Sequence, residues 1–300
     1  MGADDHGRGR CPRRFRRRQP RRGQGRSARR RSGRRRSRQH RGTTRSSHGD
    51  VAARLSAVRE RLEAAGAAGG RTDDVRLVAV SKTHPWSALV AAANAGVTDI
   101  GENRVAELVA KMDHVDRDDA LARMRWHFIG RLQSRKATHL VGRDVLVHSV
   151  DRRSLVDRLQ RLADAASTMQ ALLVQVNVAD DPSKAGCSLQ EVDDLVAYAC
   201  GQPNLEVAGL MTMPPLPEPS AQASSTATAE FARPYFAQLR RLRDRLQAEW
   251  PTVRELSMGM SADLEAAVTE GATIVRVGTG VFGPRGNGPW LGEQNEEAVR

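Results

Sequence analysis

From residue 50 onward the chain alternates two kinds of apolar spacing. Short, nearly continuous apolar runs at 75–80, 98–101, 126–130, 145–150, 172–178, 207–211, 255–258 and 274–277 read as strands buried on both faces. Between them lie stretches with helical spacing, among them 87–95, 153–166, 190–200, 232–249 and 262–271. A further helix comes first: Val51, Leu55, Val58 and Leu62 recur every three or four residues, with Asp50 as its N-cap and Gly66 at its stop. Eight strands alternating with helices predict a single (β/α)8 TIM barrel of the α/β class. A doubly wound open sheet is the alternative, but eight units in so few residues favour closure. The stretch 214–229, rich in Pro, Ser, Thr and Ala, follows the sixth strand and is expected to be a mobile loop.

Ahead of residue 50 this pattern vanishes, and the charge explains why. Residues 1–50 hold 19 Arg, no Lys and 3 Asp, a net +16. The rest of the chain holds 29 Lys and Arg against 32 Asp and Glu, a net −3. The whole-chain charge of +13 is therefore a property of the tail. Residues 1–49 are expected to be a disordered Arg-rich tail, because Arg, Gly and Ser bury too little apolar surface to offset chain entropy. Residues 50–285 form the expected barrel and 286–300 a C-terminal extension.

Three readings of the tail stand side by side. It could neutralise nucleic-acid phosphates, it could be a charge run without a partner, or translation could start near residue 50. Arg13-Arg14-Phe15 resembles a twin-arginine signal, but no apolar segment follows it, so export is not expected. The tail's few apolar residues are too scattered for the amphipathic helix of an organellar transit peptide. Without an apolar run near the ~18–20 residues of a membrane span, no membrane partner is expected. The chain has three Cys (Cys11, Cys187 and Cys200), too few for a disulfide framework, which points to a reducing cytosol.

Candidate chemistry gathers where such barrels place it, at the C-terminal ends of the strands. Lys82 follows the first strand, where partial desolvation would free its amine as a nucleophile; on spacing alone it could equally be a solvated loop lysine. Ser261 stands before a helical run, and Gly278-Thr279-Gly280 follows the last strand. Backbone N–H groups and hydroxyls there would suit a phosphate, although a plain N-cap and turn would look the same. Together, a nucleophilic Lys and a phosphate cradle describe a pyridoxal phosphate site. The eight His show no metal-binding spacing, and no metal is assigned.

The motifs VAVSKTHP, DIGENRVAEL, WHFIGRLQSRK, HSVDR, QVNVADDPSKAGC, GLMTMPP and LSMGMSADLEAAVTEGATIVRVGTGVFGPR resemble the pyridoxal phosphate homeostasis protein family. They fall in order on all eight strands, over roughly residues 50–285. The resemblance implies a barrel of the alanine-racemase N-terminal type, holding pyridoxal 5'-phosphate (PLP) as a Schiff base on Lys82. It places Ser261, Gly278 and Thr279 at the phosphate, Arg276 near the pyridine nitrogen, Asn103 and His127 around the ring, and Met260 against the cofactor. The implied role is a cofactor carrier or buffer in vitamin B6 homeostasis, without catalytic residues, serving apo PLP-enzymes. A racemase-like enzyme is the alternative.

Chemistry favours the carrier. A cationic Arg276 disfavours protonation of the ring nitrogen and weakens the ring as an electron sink. Racemases of this barrel type add a Tyr base from a second, dimerising domain. The two Tyr of this chain, Tyr198 and Tyr235, fall in helical segments away from the strand ends. Only about 20 residues follow the last strand motif, too few for the dimerising domain, and a monomer is expected. Two positions depart from the family pattern: His84 replaces a second Lys, and Gly130-Arg131 replaces Gly-Pro. Lys184 is a second lysine that could meet cofactor transiently, or a solvated loop residue.

Overall fold

The computed structural model describes residues 43–115, 121, 123–215, 217 and 225–284. Most of the Arg-rich tail and the extension 286–300 lie outside the described residues. The first helix, α1 (Thr43–Ala68), opens seven residues inside the stretch that composition assigns to the tail. Asp50 therefore does not cap it; within the helix it pairs with Arg54 one turn on, at 3.8 Å. Gly66 does not stop the helix either, which runs two residues past it. The buried stripe is the expected one, Val51, Leu55, Val58 and Leu62, continued by Ala65.

The remaining elements alternate as the apolar pattern predicts. They are β1 (Arg76–Val80), α2 (Trp86–Asn94), β2 (Asp99–Glu102), α3 (Val105–Val115), β3 (Arg125–Phe128), a 3-10 helix (Ser134–His139) and β4 (Val145–Val150). There follow α4 (Arg153–Ala165), β5 (Gln170–Gln175), α5 (Val192–Cys200), β6 (Leu205–Met211), α6 (Ser225–Glu249), β7 (Glu255–Ser257), α7 (Leu264–Thr269), β8 (Ile274–Val277) and α8 (Thr279–Phe282). The strands pair in parallel in chain order, and β8 returns to β1, so the sheet is a closed barrel and not an open one.

Two further expectations change. The stretch 214–229 is not loop throughout, because its last residues, from Ser225, form the first turns of α6. Ala232, Phe236, Leu239, Leu242 and Leu246 then carry that helix's buried face. Helix α7 starts at Leu264 and not at 262, which leaves Ser261 in the turn before it.

Apolar packing has two parts. A large shell lies between strands and helices, and inside the barrel sits a small cluster of Val78, Leu173, Met211 and Ile274. Barrels of this kind usually fill their interior with bulky branched residues. Here much of it is polar: Asp99, His127, His148, Ser257 and Arg276, from five different strands, are all buried. Buried polar groups are tolerated only when paired, and these are paired with one another.

Candidate functional site

A cleft of about 600 Å³ opens at the C-terminal ends of the strands, within the size range of small-ligand sites. Seven of the expected site residues line it: Lys82, Asn103, Met260, Ser261, Arg276, Gly278 and Thr279. His127 does not. It is buried in the barrel interior, where its ring bonds Asp99 and His148. A strand alternates its side chains between faces and also along its length, so a residue in a strand motif can sit a layer below the mouth.

Lys82 occupies the turn after β1, and its neighbours are clamped from below. Helix α3 sends Glu107 and Lys111, one turn apart, inward with Leu108. The Lys111 ammonium donates to Ser81 O (2.8 Å), Glu102 Oε1 (2.6 Å) and Glu107 Oε1 (2.8 Å). Those three bonds use its full donor capacity. The Thr83 N–H donates to Glu107 Oε1 at 2.7 Å, and the Ser81 hydroxyl donates to Glu102. Thr83 has φ +65°, so the backbone makes a left-handed step just past Lys82, which a β-branched residue adopts only when its surroundings enforce it. Both residues flanking Lys82 are thus fixed by the same three buried charges. Glu102 Oε2 and Glu107 Oε2 are buried without a hydrogen-bond partner. Burial pushes the Glu102 carboxyl up to about 7; Lys111 opposes this, and Glu107 adds to it.

At another part of the rim, β8 turns through Gly278 into the single turn of α8. The Thr279 hydroxyl meets the Ser261 hydroxyl at 3.4 Å. A Cβ on Gly280 would stand 3.4 Å from Ser261 Oγ and 2.7 Å from Val277 Cγ1, so only glycine leaves this approach open. The turn carrying Ser261 is tied down twice. Arg61 of α1 donates to Ser261 O at 3.0 Å, and the Met260 N–H donates to Asp263 Oδ1 at 2.6 Å. His84 also lines the cleft and stacks on Phe282, with ring centroids 5.0 Å apart, so it packs against α8.

Gly130 is required by close approach: a Cβ there would lie 2.1 Å from Asn103 O. We expect Gly130→Ala to push the Asn103 backbone away from the cleft and cost about 1–3 kcal/mol of stability, read by urea denaturation. Unchanged stability together with unchanged ligand affinity would refute the close packing.

Arg276 enters the cleft from β8 with its guanidinium already engaged. Nη1 donates to Ser257 Oγ at 2.7 Å, and Nη2 donates to Thr212 O at 3.0 Å. Burial lowers its pKa to about 10, still far above neutrality. Below it the polar interior is continuous. Ser257 Oγ lies 2.9 Å from His148 Nδ1, His148 Nε2 lies 2.9 Å from His127 Nδ1, and His127 Nε2 lies 2.9 Å from Asp99 Oδ1. Strands β4 and β7 are not neighbours in the sheet, so the His148–Ser257 bond crosses the barrel interior. Burial lowers the pKa of both histidines. For Asp99 burial works upward, but hydrogen bonds from His127 and Arg125 outweigh it and hold the carboxyl at about 2.

Sequence reasoning missed Glu102, Glu107, Lys111, His148 and Ser257. The Glu107–Lys111 spacing was visible, but on a helix it reads as an ordinary surface pair. Lys184 lies on the cleft wall. Cys187 and Cys200 are free thiols, and burial pushes the Cys187 thiol up to about 12. Among the described residues, no helix is long and apolar enough to cross a membrane.

Comparison with known proteins places this arrangement. The family model for the alanine racemase N-terminal domain matches residues 53–286. The pyridoxal phosphate homeostasis protein of Aquifex aeolicus is 42% identical over 234 residues, covering 77% of this chain and 97% of that protein. The protein of the same name from Escherichia coli K12 is 36% identical over 237 residues, covering 79% and 97%. Among solved structures, PipY of Synechococcus elongatus with PLP bound superposes with a TM-score of 0.65 at 35% identity, covering 78% of this chain and all of PipY.

Proposed function

The chain belongs to the pyridoxal phosphate homeostasis protein family, and from that premise we propose that it holds PLP in this cleft as a carrier or buffer and not as a racemase. The observation that carries the reading is the convergence of seven expected residues in one cleft at the C-terminal mouth of the barrel. The donor set fits the group: a primary amine, two facing hydroxyls beside a side-chain-free approach, and a guanidinium already oriented by the protein. When bound, the cofactor supplies an aldehyde that condenses with a lysine amine, and Lys82 is that amine.

Each residue then has a task. Ser261, Thr279 and the backbone at Gly278 bind the phosphate. Arg276, a cation at neutral pH, would lie toward the ring nitrogen and disfavour its protonation. Asn103 and Met260 bound the ring, and His127 acts from below. A ring held without its proton is a poor electron sink, and so this site suits keeping and releasing PLP better than turning over amino acids. The natural recipients are apo PLP-enzymes. The protein is expected to act as a monomer in a reducing cytosol, where Cys187 and Cys200 stay free.

The test is direct. Titrating PLP into the purified protein should raise a visible absorbance band. Borohydride should fix the label, and peptide mapping should find it on Lys82. A label confined to another lysine would overturn the site. Racemisation of amino acids over many cycles per site would overturn the carrier reading.

A further inference from the structure

The polar path through the barrel runs in one direction only. The Asp99 carboxylate can only accept, so His127 donates to it from Nε2. A neutral His127 then has a bare Nδ1, which accepts from His148 Nε2–H. His148 in turn has a bare Nδ1, which accepts the Ser257 hydroxyl proton. With that proton committed, Ser257 Oγ presents its lone pair to Arg276 Nη1. Both histidines are buried, and burial lowers their pKa, which favours the neutral form that this order needs. One carboxylate near the N-terminal ends of the strands therefore sets every tautomer and rotor up to the guanidinium at the mouth.

We infer that Asp99, His127, His148 and Ser257 are positioning residues for the cofactor ring, fixing through this one-way chain the plane in which Arg276 faces the ring nitrogen. The inference rests on the cofactor reading above, and it gives His127 a role although it does not touch the cleft. Arg276 has a second anchor on Thr212 O, so losing Ser257 frees the guanidinium to rotate about that remaining bond without leaving the cleft.

Two measurements test it. In ¹⁵N-histidine-labelled protein without cofactor, His127 and His148 should both be Nε2–H tautomers; an Nδ1–H tautomer at either overturns the directed chain. In PLP-loaded protein, Ser257→Ala should shift the visible band and speed PLP release by about fivefold, the scale of one hydrogen bond. In an Arg276→Gln background the same substitution should change neither. Ser257→Ala removes one oxygen and carries less folding risk than His148→Leu, which should behave alike. An equal effect of Ser257→Ala in both backgrounds, or none in the wild type loaded at Lys82, overturns the positioning role and leaves the cofactor reading intact. A wild-type protein that shows no visible band with PLP overturns the cofactor reading itself, while the tautomers still report on the chain.

Discussion

Lys82→Ala should abolish the visible absorbance of the PLP-treated protein while leaving its unfolding transition nearly in place. The residue is half-buried in the turn after β1, and the clamp from α3 holds the backbone of Ser81 and Thr83 on either side of it, which an alanine at position 82 leaves in place. With the turn's backbone still held, losing the side chain should cost about 1 kcal/mol, the size of an ordinary single substitution. Ligand retention should respond very differently. The hydroxyls of Ser261 and Thr279 remain, so weak binding survives, but the covalent hold does not. We expect affinity for PLP to fall at least a hundredfold, about 2.7 kcal/mol, in equilibrium dialysis. Retention of a borohydride-stable adduct in Lys82→Ala would move the function to another lysine, and Lys184 on the same cleft wall would be examined first.

Lys111→Met should be the most damaging single substitution outside the apolar core. It leaves Glu102 and Glu107 buried together with no cation between them. Breaking a buried ion pair by removing one partner costs about 3–5 kcal/mol. The pH dependence identifies the cause. Burial raises the folded-state value of Glu102 to about 7, above the value of about 4.3 in an unfolded chain. A raised carboxyl binds protons more tightly when folded, so its contribution is fully present below the unfolded value and lost as pH rises through the folded one. Without Lys111 the opposing charge is gone and the rise is larger. The deficit of Lys111→Met should be greatest near pH 8 and shrink toward pH 5 as the carboxyls take up protons, measured by urea unfolding at both pH values. A deficit independent of pH would assign the loss to packing alone. Because the cluster fixes the residues on both sides of Lys82, the surviving folded protein should also form its PLP adduct more slowly.

Much of the fold was legible because its apolar signal is local. Val51, Leu55, Val58 and Leu62 mark α1 by spacing alone, and each strand announces itself as a short apolar run. Boundaries were less legible. Asp50 reads as an N-cap, yet the helix continues upstream of it and uses the carboxylate in a pair with Arg54. Ser261 reads as the start of a helix, yet α7 waits until Leu264 and Ser261 serves the turn. Such local signals say that a residue can cap, not that it does.

Part of the cleft was legible too: strand ends can be counted off the chain, which marks Lys82, Ser261, Gly278 and Thr279, while Asn103, Met260 and Arg276 came through the family resemblance. Its support was not legible. Glu107 and Lys111 look like a solvated i,i+4 pair, and nothing local says that α3 turns them inward onto Ser81, Thr83 and Glu102. His127 lies in a motif of the cleft and yet points below it.

By itself, then, the sequence determined the eight-unit barrel, the partition of charge between tail and body, and the candidacy of Lys82, Ser261, Gly278 and Thr279 at the strand ends. Each of these follows from periodicity, composition or position at a strand end. Only the tertiary structure decided how buried charges pair. It brought Glu102, Glu107 and Lys111 together under Lys82, and it joined Asp99, His127, His148, Ser257 and Arg276 across the barrel. The reason is physical. Apolar burial is non-directional and leaves a periodic trace along the chain. A hydrogen bond needs two specific atoms within about 3 Å, and in a closed barrel those atoms come from strands far apart in sequence.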